Sequence, residues 1–96
     1  MGTSVELRAA LPIADTLAAV RGAAADLVLL TIGPDVPAVE RAMLIAALGP
    51  LAVELAPARR LCALDVAATA DPDDVAAALA FLARAASTTG QVLAIA

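Results

Sequence analysis

The chain has 96 residues, a net charge of −4 and a pI near 4.4, and its six cationic residues are all arginines. They are scattered (Arg8, Arg21, Arg41, Arg59, Arg60, Arg84), and Phe81 is the single aromatic. Nucleic-acid binding draws on a clustered basic surface with stacking aromatics, so that class is excluded and no nucleic-acid partner is expected. The longest uncharged runs, 42–53 and 85–96, have twelve residues each, too few for a membrane span of about 20. Glu6 and Arg8 interrupt any apolar leader near the start, so the chain is expected to be cytoplasmic, without a membrane partner.

At 62% hydrophobic, the chain has ample material for one domain spanning residues 1–96, although much of it is alanine. Alanine adds little transfer free energy, so close backbone packing has to replace bulk. So small and apolar a chain also has apolar surface left for another subunit to cover. Cys62 is the single cysteine. It excludes an internal disulfide and a multi-cysteine metal site, and within an apolar run it reads as a buried structural thiol.

In chain order, residues 4–9 alternate in polarity and read as a first strand. Pro12 to Ala24 reads as a helix, with Ile13, Leu17 and Val20 at i, i+4 and i+7. "ADLVLLTIG" (25–33) is a buried strand ended by Gly33-Pro34. Pro37 to Ala56 is a long helical pattern. Leu44, Leu48, Leu51 and Leu55 make its inward stripe, and Val39, Met43 and Ala46-Ala47 make an outward one. Gly49-Pro50 is expected to kink or split this helix, because proline supplies no amide hydrogen and crowds the carbonyl of Ala46. "LCALDVA" (61–67) is a third strand.

The third helix, Asp71 to Ala86, has a well-specified start. Asp71 is placed to cap, Pro72 to occupy the first helical position, and Asp73 and Asp74 to face the helix dipole. The same aspartates, with no histidine beside them, make a poor metal cluster, and no metal site is assigned. Val75, Leu79 and Leu82 form the inward stripe, with Phe81 at the flank. "GQVLAIA" closes as a fourth strand. Continuously apolar strands separated by helices argue for an α/β fold whose mostly parallel sheet is covered on both faces, with right-handed crossovers throughout.

"DPDDVAAALAFLARAASTTGQVLAIA" (71–96) resembles the C-terminal end of a short-chain dehydrogenase/reductase. The match runs in order through Asp71-Pro72, Val75, Phe81-Leu82, Ser87, Thr89-Gly90 and Val92 to Ile95. "LAVELAPARR" (51–60) resembles the end of that family's long interface helix, and "ADLVLLTIG" its central strand ending Asn-Asn-Ala-Gly. The resemblance implies a three-layer Rossmann-like fold with four strands and three helices, truncated relative to the family. It also implies an interface at Val39, Met43, Ala46, Ala47 and Phe81.

The departures bear on chemistry. Gly2, Gly22, Gly33, Gly49 and Gly90 never fall in a G-x-G spacing, so no pyrophosphate cradle is expected and no cofactor is assigned. Counting back from Glu54, the family's Tyr-x-x-x-Lys falls on Pro37 and Arg41. Proline has no phenol to protonate a carbonyl, and arginine keeps its charge where a lysine exchanges its own. The chain contains no Tyr, Lys or His, which also removes a Ser-His-Asp triad, a lysine Schiff base and histidine-ligated zinc. No catalytic residue is assigned. Asp26, Asp35 and Asp65 at strand ends, with Ser87 or Thr88, make a weaker candidate group, for which solvated loop acids and helix caps are the favoured account.

Three functions compete on this reading. The first is a non-catalytic protein that self-associates as a dimer or larger, or docks on a full-length reductase. The second is a minimal NAD(P)-dependent reductase borrowing residues from a partner. The third is a small-ligand module using loop 33–37 and the helix start at 71–74.

Overall fold

The two most deeply buried strands, LVLLTI and RLCALDV, form the centre of the sheet in a computed structural model describing residues 2–85 and 87–96. The elements are β1 (Ser4–Arg8), α1 (Ile13–Gly22), β2 (Leu27–Ile32), α2 (Ala38–Leu55), β3 (Arg60–Val66), α3 (Pro72–Arg84) and β4 (Val92–Ile95). All four strands are parallel, in the order β1-β2-β3-β4. This is the three-layer Rossmann-like α/β arrangement that the resemblance implied, with each element within two residues of its expected bounds.

Burial follows the strand period of two. Val28, Leu30 and Ile32 of β2 join Leu61 and Ala63 of β3 on one face, under Val20 of α1 and Leu44, Leu48, Leu51 and Leu55 of α2. Leu27, Leu29, Cys62, Leu64 and Val66 point the other way and pack under Leu82 of α3, flanked by Val75 and Leu79. The inward stripes expected of α1, α2 and α3 are therefore the ones used, and the Cys62 thiol is buried. β1 needs cover on one side only: Val5 and Leu7 meet the α1–α2 core, while Ser4, Glu6 and Arg8 are exposed.

Uniform right-handed crossovers do not hold. The strands are parallel and the chain steps across the sheet always in one direction, yet α1 and α2 lie on one face and α3 on the other. The connection through α3 therefore has the opposite hand to the first two. The preference for one hand is strong, but here it yields to burial. With α1 and α2 on the same side, only α3 is left to cover Leu27, Leu29, Leu64 and Val66.

Helix α2 runs unbroken through its proline. Gly49-Pro50 does not split it, and the element continues to Leu55 with Pro50 exposed inside it. Ala46, whose carbonyl loses its amide partner to the proline, is an exposed residue. The outward stripe is exposed in the single chain, with Val39 at 68% and Met43 at 54%. Ala47 does not belong to it: it packs against the α1–α2 core. Phe81 is exposed at the flank of α3, as expected.

One turn conformation is specific. Gly90 has φ +74, in the left-handed region that favours glycine, and its N–H donates to the Leu61 carbonyl at 2.7 Å. Thr89 Oγ1 accepts from the Leu61 N–H at 3.0 Å. The Thr-Gly pair thus sets the entry of β4 beside β3.

Arg21 of α1 and Glu54 of α2 form a two-point pair at 2.7 and 3.1 Å. The hydrogen bonds from Arg21 hold the Glu54 carboxyl below the ordinary glutamate range. A lowered pKa stabilises the fold above the unfolded-state pKa, and that contribution is lost as pH falls through the folded value. Glu54→Gln is therefore expected to flatten the acid limb of a stability-versus-pH curve below about pH 5 while leaving the neutral limb's shape unchanged. Leu48→Ala is expected to lower unfolding stability by about 2–5 kcal/mol in urea titration, because Leu48 is 1% exposed between α2 and the sheet.

Candidate functional site at the strand ends

Because α2 leaves β2 for one face and α3 leaves β3 for the other, the connections after these neighbouring strands diverge. Diverging connections open a crevice at the carboxyl ends of parallel strands, the place where open α/β sheets bind ligands. A cleft of about 420 Å³ lies there, with Pro34, Arg41, Asp65, Val66, Ala94 and Ile95 in its lining.

Its polar corner is built by two elements. Asp65 sits near the end of β3 among apolar neighbours, on the α2 side of the sheet. Arg41 projects from the first turns of α2 and pairs with it through Nη1 and Oδ1. The side chains are 20% and 27% exposed, against about half or more for the other two ion pairs. Arg41 Nη1 also donates to the Ile32 carbonyl at 3.4 Å, and Nη2 to the carbonyls of Gly33 and Val36. These carbonyls belong to the end of β2 and the loop that follows, where strand pairing has stopped. One guanidinium thus satisfies three backbone acceptors and one carboxylate, a use of its planar fork that an ammonium does not reproduce.

Arg41 is the position that the family resemblance aligned with a catalytic lysine. Its terminal nitrogens are already engaged by protein groups. Pro37, aligned with the tyrosine, immediately precedes α2, and its carbonyl accepts the Arg41 amide at 2.8 Å. The pair of positions is occupied by a helix start and a loop staple.

The other candidate acids do not converge. Asp26 lies at the amino end of β2, where its carboxylate accepts the Thr3 N–H at 2.9 Å. Asp35 lies at the opposite end and pairs with Arg8 at 3.0 Å beside a second cleft. A Cβ at Gly33 would meet only the ends of the Arg8 and Asp35 side chains, which are exposed and free to shift. Ser87 and Thr88 belong to the amino end of β4, where the Thr88 carbonyl accepts from Arg60. They are a strand length away from Asp35 and Asp65. Asp71 is a cap, its carboxylate accepting the Asp73 N–H at 2.8 Å. Among the described residues no cluster of three or more His, Cys, Asp or Glu is placed to hold a metal.

Sequence reasoning found Arg41 and Asp65 separately but missed their pairing. Twenty-four residues separate them, and the only signal was a lone acid inside an apolar strand, which demands a partner. Asp65→Ala leaves the half-buried guanidinium without its counter-charge. It is expected to cost about 1–3 kcal/mol in thermal or urea unfolding, less than a fully buried pair because both groups still reach water.

Among the described residues no helix is long and apolar enough to cross a membrane. Neither the curated proteins nor the solved structures contain a match to the chain. A family model described as short chain dehydrogenase-like protein matches residues 3–95, nearly the whole chain and all four strands. The chain therefore belongs to the short chain dehydrogenase-like family.

Proposed function

We propose that this chain is a non-catalytic member of its family that acts by association, as a homo-oligomer or as a small subunit on a larger reductase-like protein. The observation that carries this reading is the apolar stripe along α2. Val39, Met43, Ala46 and Val53 are exposed on one side of the helix, Val53 at 78%. Burying such residues releases roughly 25 cal/mol per Å² of apolar surface, and a monomer leaves that stabilisation unused.

The chemistry of the chain agrees with this role. Without Tyr, Lys or His, it lacks the side chains that the family resemblance implies for proton transfer to a carbonyl. Arg41, the nearest counterpart to a family catalytic residue, is committed to loop carbonyls and Asp65.

Size-exclusion chromatography with light scattering tests the proposal, with a dimer or larger expected at micromolar concentration. Met43→Glu is expected to shift the protein to a folded monomer, since Met43 is half exposed in the single chain and a buried unpaired charge disfavours assembly by several kcal/mol. Heat-stabilisation by NAD(H) or NADP(H) in the same preparation would favour a reductase that retains its cofactor and count against the non-catalytic role.

A further inference from the structure

We infer that a cleft at the amino ends of the strands binds a free amino acid, its carboxylate on Arg60 and its ammonium on Asp26. This cleft lies at the opposite end of the sheet from Arg41 and Asp65, and its role does not depend on how the chain associates. It holds about 420 Å³, with Thr3, Ser4, Asp26, Arg60 and Ala83 in its lining.

Strand register brings the two charges to one place. Arg60 opens β3 opposite Leu27 of β2, and its N–H donates to the Asp26 carbonyl at 2.7 Å. Strand alternation gives Arg60 the same face as Cys62, Leu64 and Val66, the side covered by α3. There its Nη1 donates to the carbonyls of Ala85 and Thr88 at 2.6 and 3.1 Å. Nε and Nη2 are left with no protein partner among the described residues. That is the edge which Arg21 offers to both oxygens of Glu54, a planar pair of donors matched to a carboxylate. Asp26 is fixed separately. Its Oδ2 accepts the Thr3 N–H at 2.9 Å and its own N–H donates to Thr3 Oγ1 at 3.3 Å, while Oδ1 has no donor among the described residues.

Charge selects the ligand. Arg8, Arg21 and Arg41 each pair with a carboxylate. Arg60 is partly buried, yet among the described residues it has no carboxylate within 4.0 Å, and Asp26 has no cation. A partly desolvated cation without a counter-charge is unfavourable, and an incoming carboxylate relieves it. A plain anion also meets the like charge of Asp26, and a plain cation that of Arg60. A molecule carrying both charges a few ångströms apart satisfies both groups, because complementary potentials favour it and disfavour the singly charged competitors.

Isothermal calorimetry on the full chain tests the site, with L-alanine, L-leucine, L-glutamate and L-lysine as probes. Propionate and ethylamine serve as half-probes, each carrying one of the two charges. At least one amino acid is expected to bind saturably and at least about tenfold more tightly than either half-probe, since each lacks one charge-assisted contact. Asp26→Asn keeps an acceptor for the Thr3 N–H and removes the charge, whereas Arg60→Lys keeps the charge and removes the paired donors. Each is expected to weaken binding at least about tenfold, and Asp26→Asn decides alone if Arg60→Lys does not fold. Asp15→Asn, in the first turn of α1 at the other end of the sheet, is expected to bind like the parent. No saturable heat from any of the four amino acids overturns the site. Propionate binding as tightly as the amino acids, or unchanged affinity in Asp26→Asn, overturns the two-charge ligand. Association through α2 is read separately by light scattering and stands or falls on its own.

Discussion

Two-sided burial of the central strands is the constraint on which the rest of this structure depends. β2 and β3 are apolar at consecutive positions, so each presents hydrophobic side chains to both faces of the sheet. Neither face tolerates water. Two helices on one side leave Leu27, Leu29, Leu64 and Val66 uncovered, and α3 is the only element left to cover them. That requirement is strong enough to reverse the hand of the last crossover, against a geometric preference that holds in most parallel sheets.

The same reversal places the polar chemistry. Once the chain leaves β2 toward one face and β3 toward the other, the two connections part and a cleft opens at the strand ends. Backbone carbonyls at the end of β2 then lack strand partners, and Asp65 lies half-buried beside them. The Arg41 guanidinium resolves both problems with one side chain. A residue type that serves this purpose well is a poor exchangeable acid, so structural use and proton transfer compete for the position.

An alanine-rich composition shapes the remaining surface. The face that α2 turns to the sheet is mostly leucine, and the helix is apolar on its outer side too, where Val39, Met43 and Val53 are exposed. The contrast between the edge strands is similar in kind. β1 carries Glu6 and Arg8 outward, which discourages edge pairing, whereas β4 carries no charge and relies on short length.

Most of the architecture was legible in the sequence. Continuous apolar runs marked β2 and β3, leucine spacing marked the inward face of α2, and the Asp71-Pro72 start of α3 proved to be a cap. Gly49-Pro50 does not end the helix, since a local breaker signal is overridden when flanking turns are anchored by Leu48 and Leu51. The absence of Tyr, Lys and His was equally plain and limited the chemistry before any coordinates. What only the tertiary structure decided was long-range: the face that α3 takes, the separation of Asp26 from Asp35 and Asp65, and the meeting of Arg41 with Asp65. Periodicity reports which side of an element is apolar, but which elements meet depends on closing the whole core, and no local pattern encodes that.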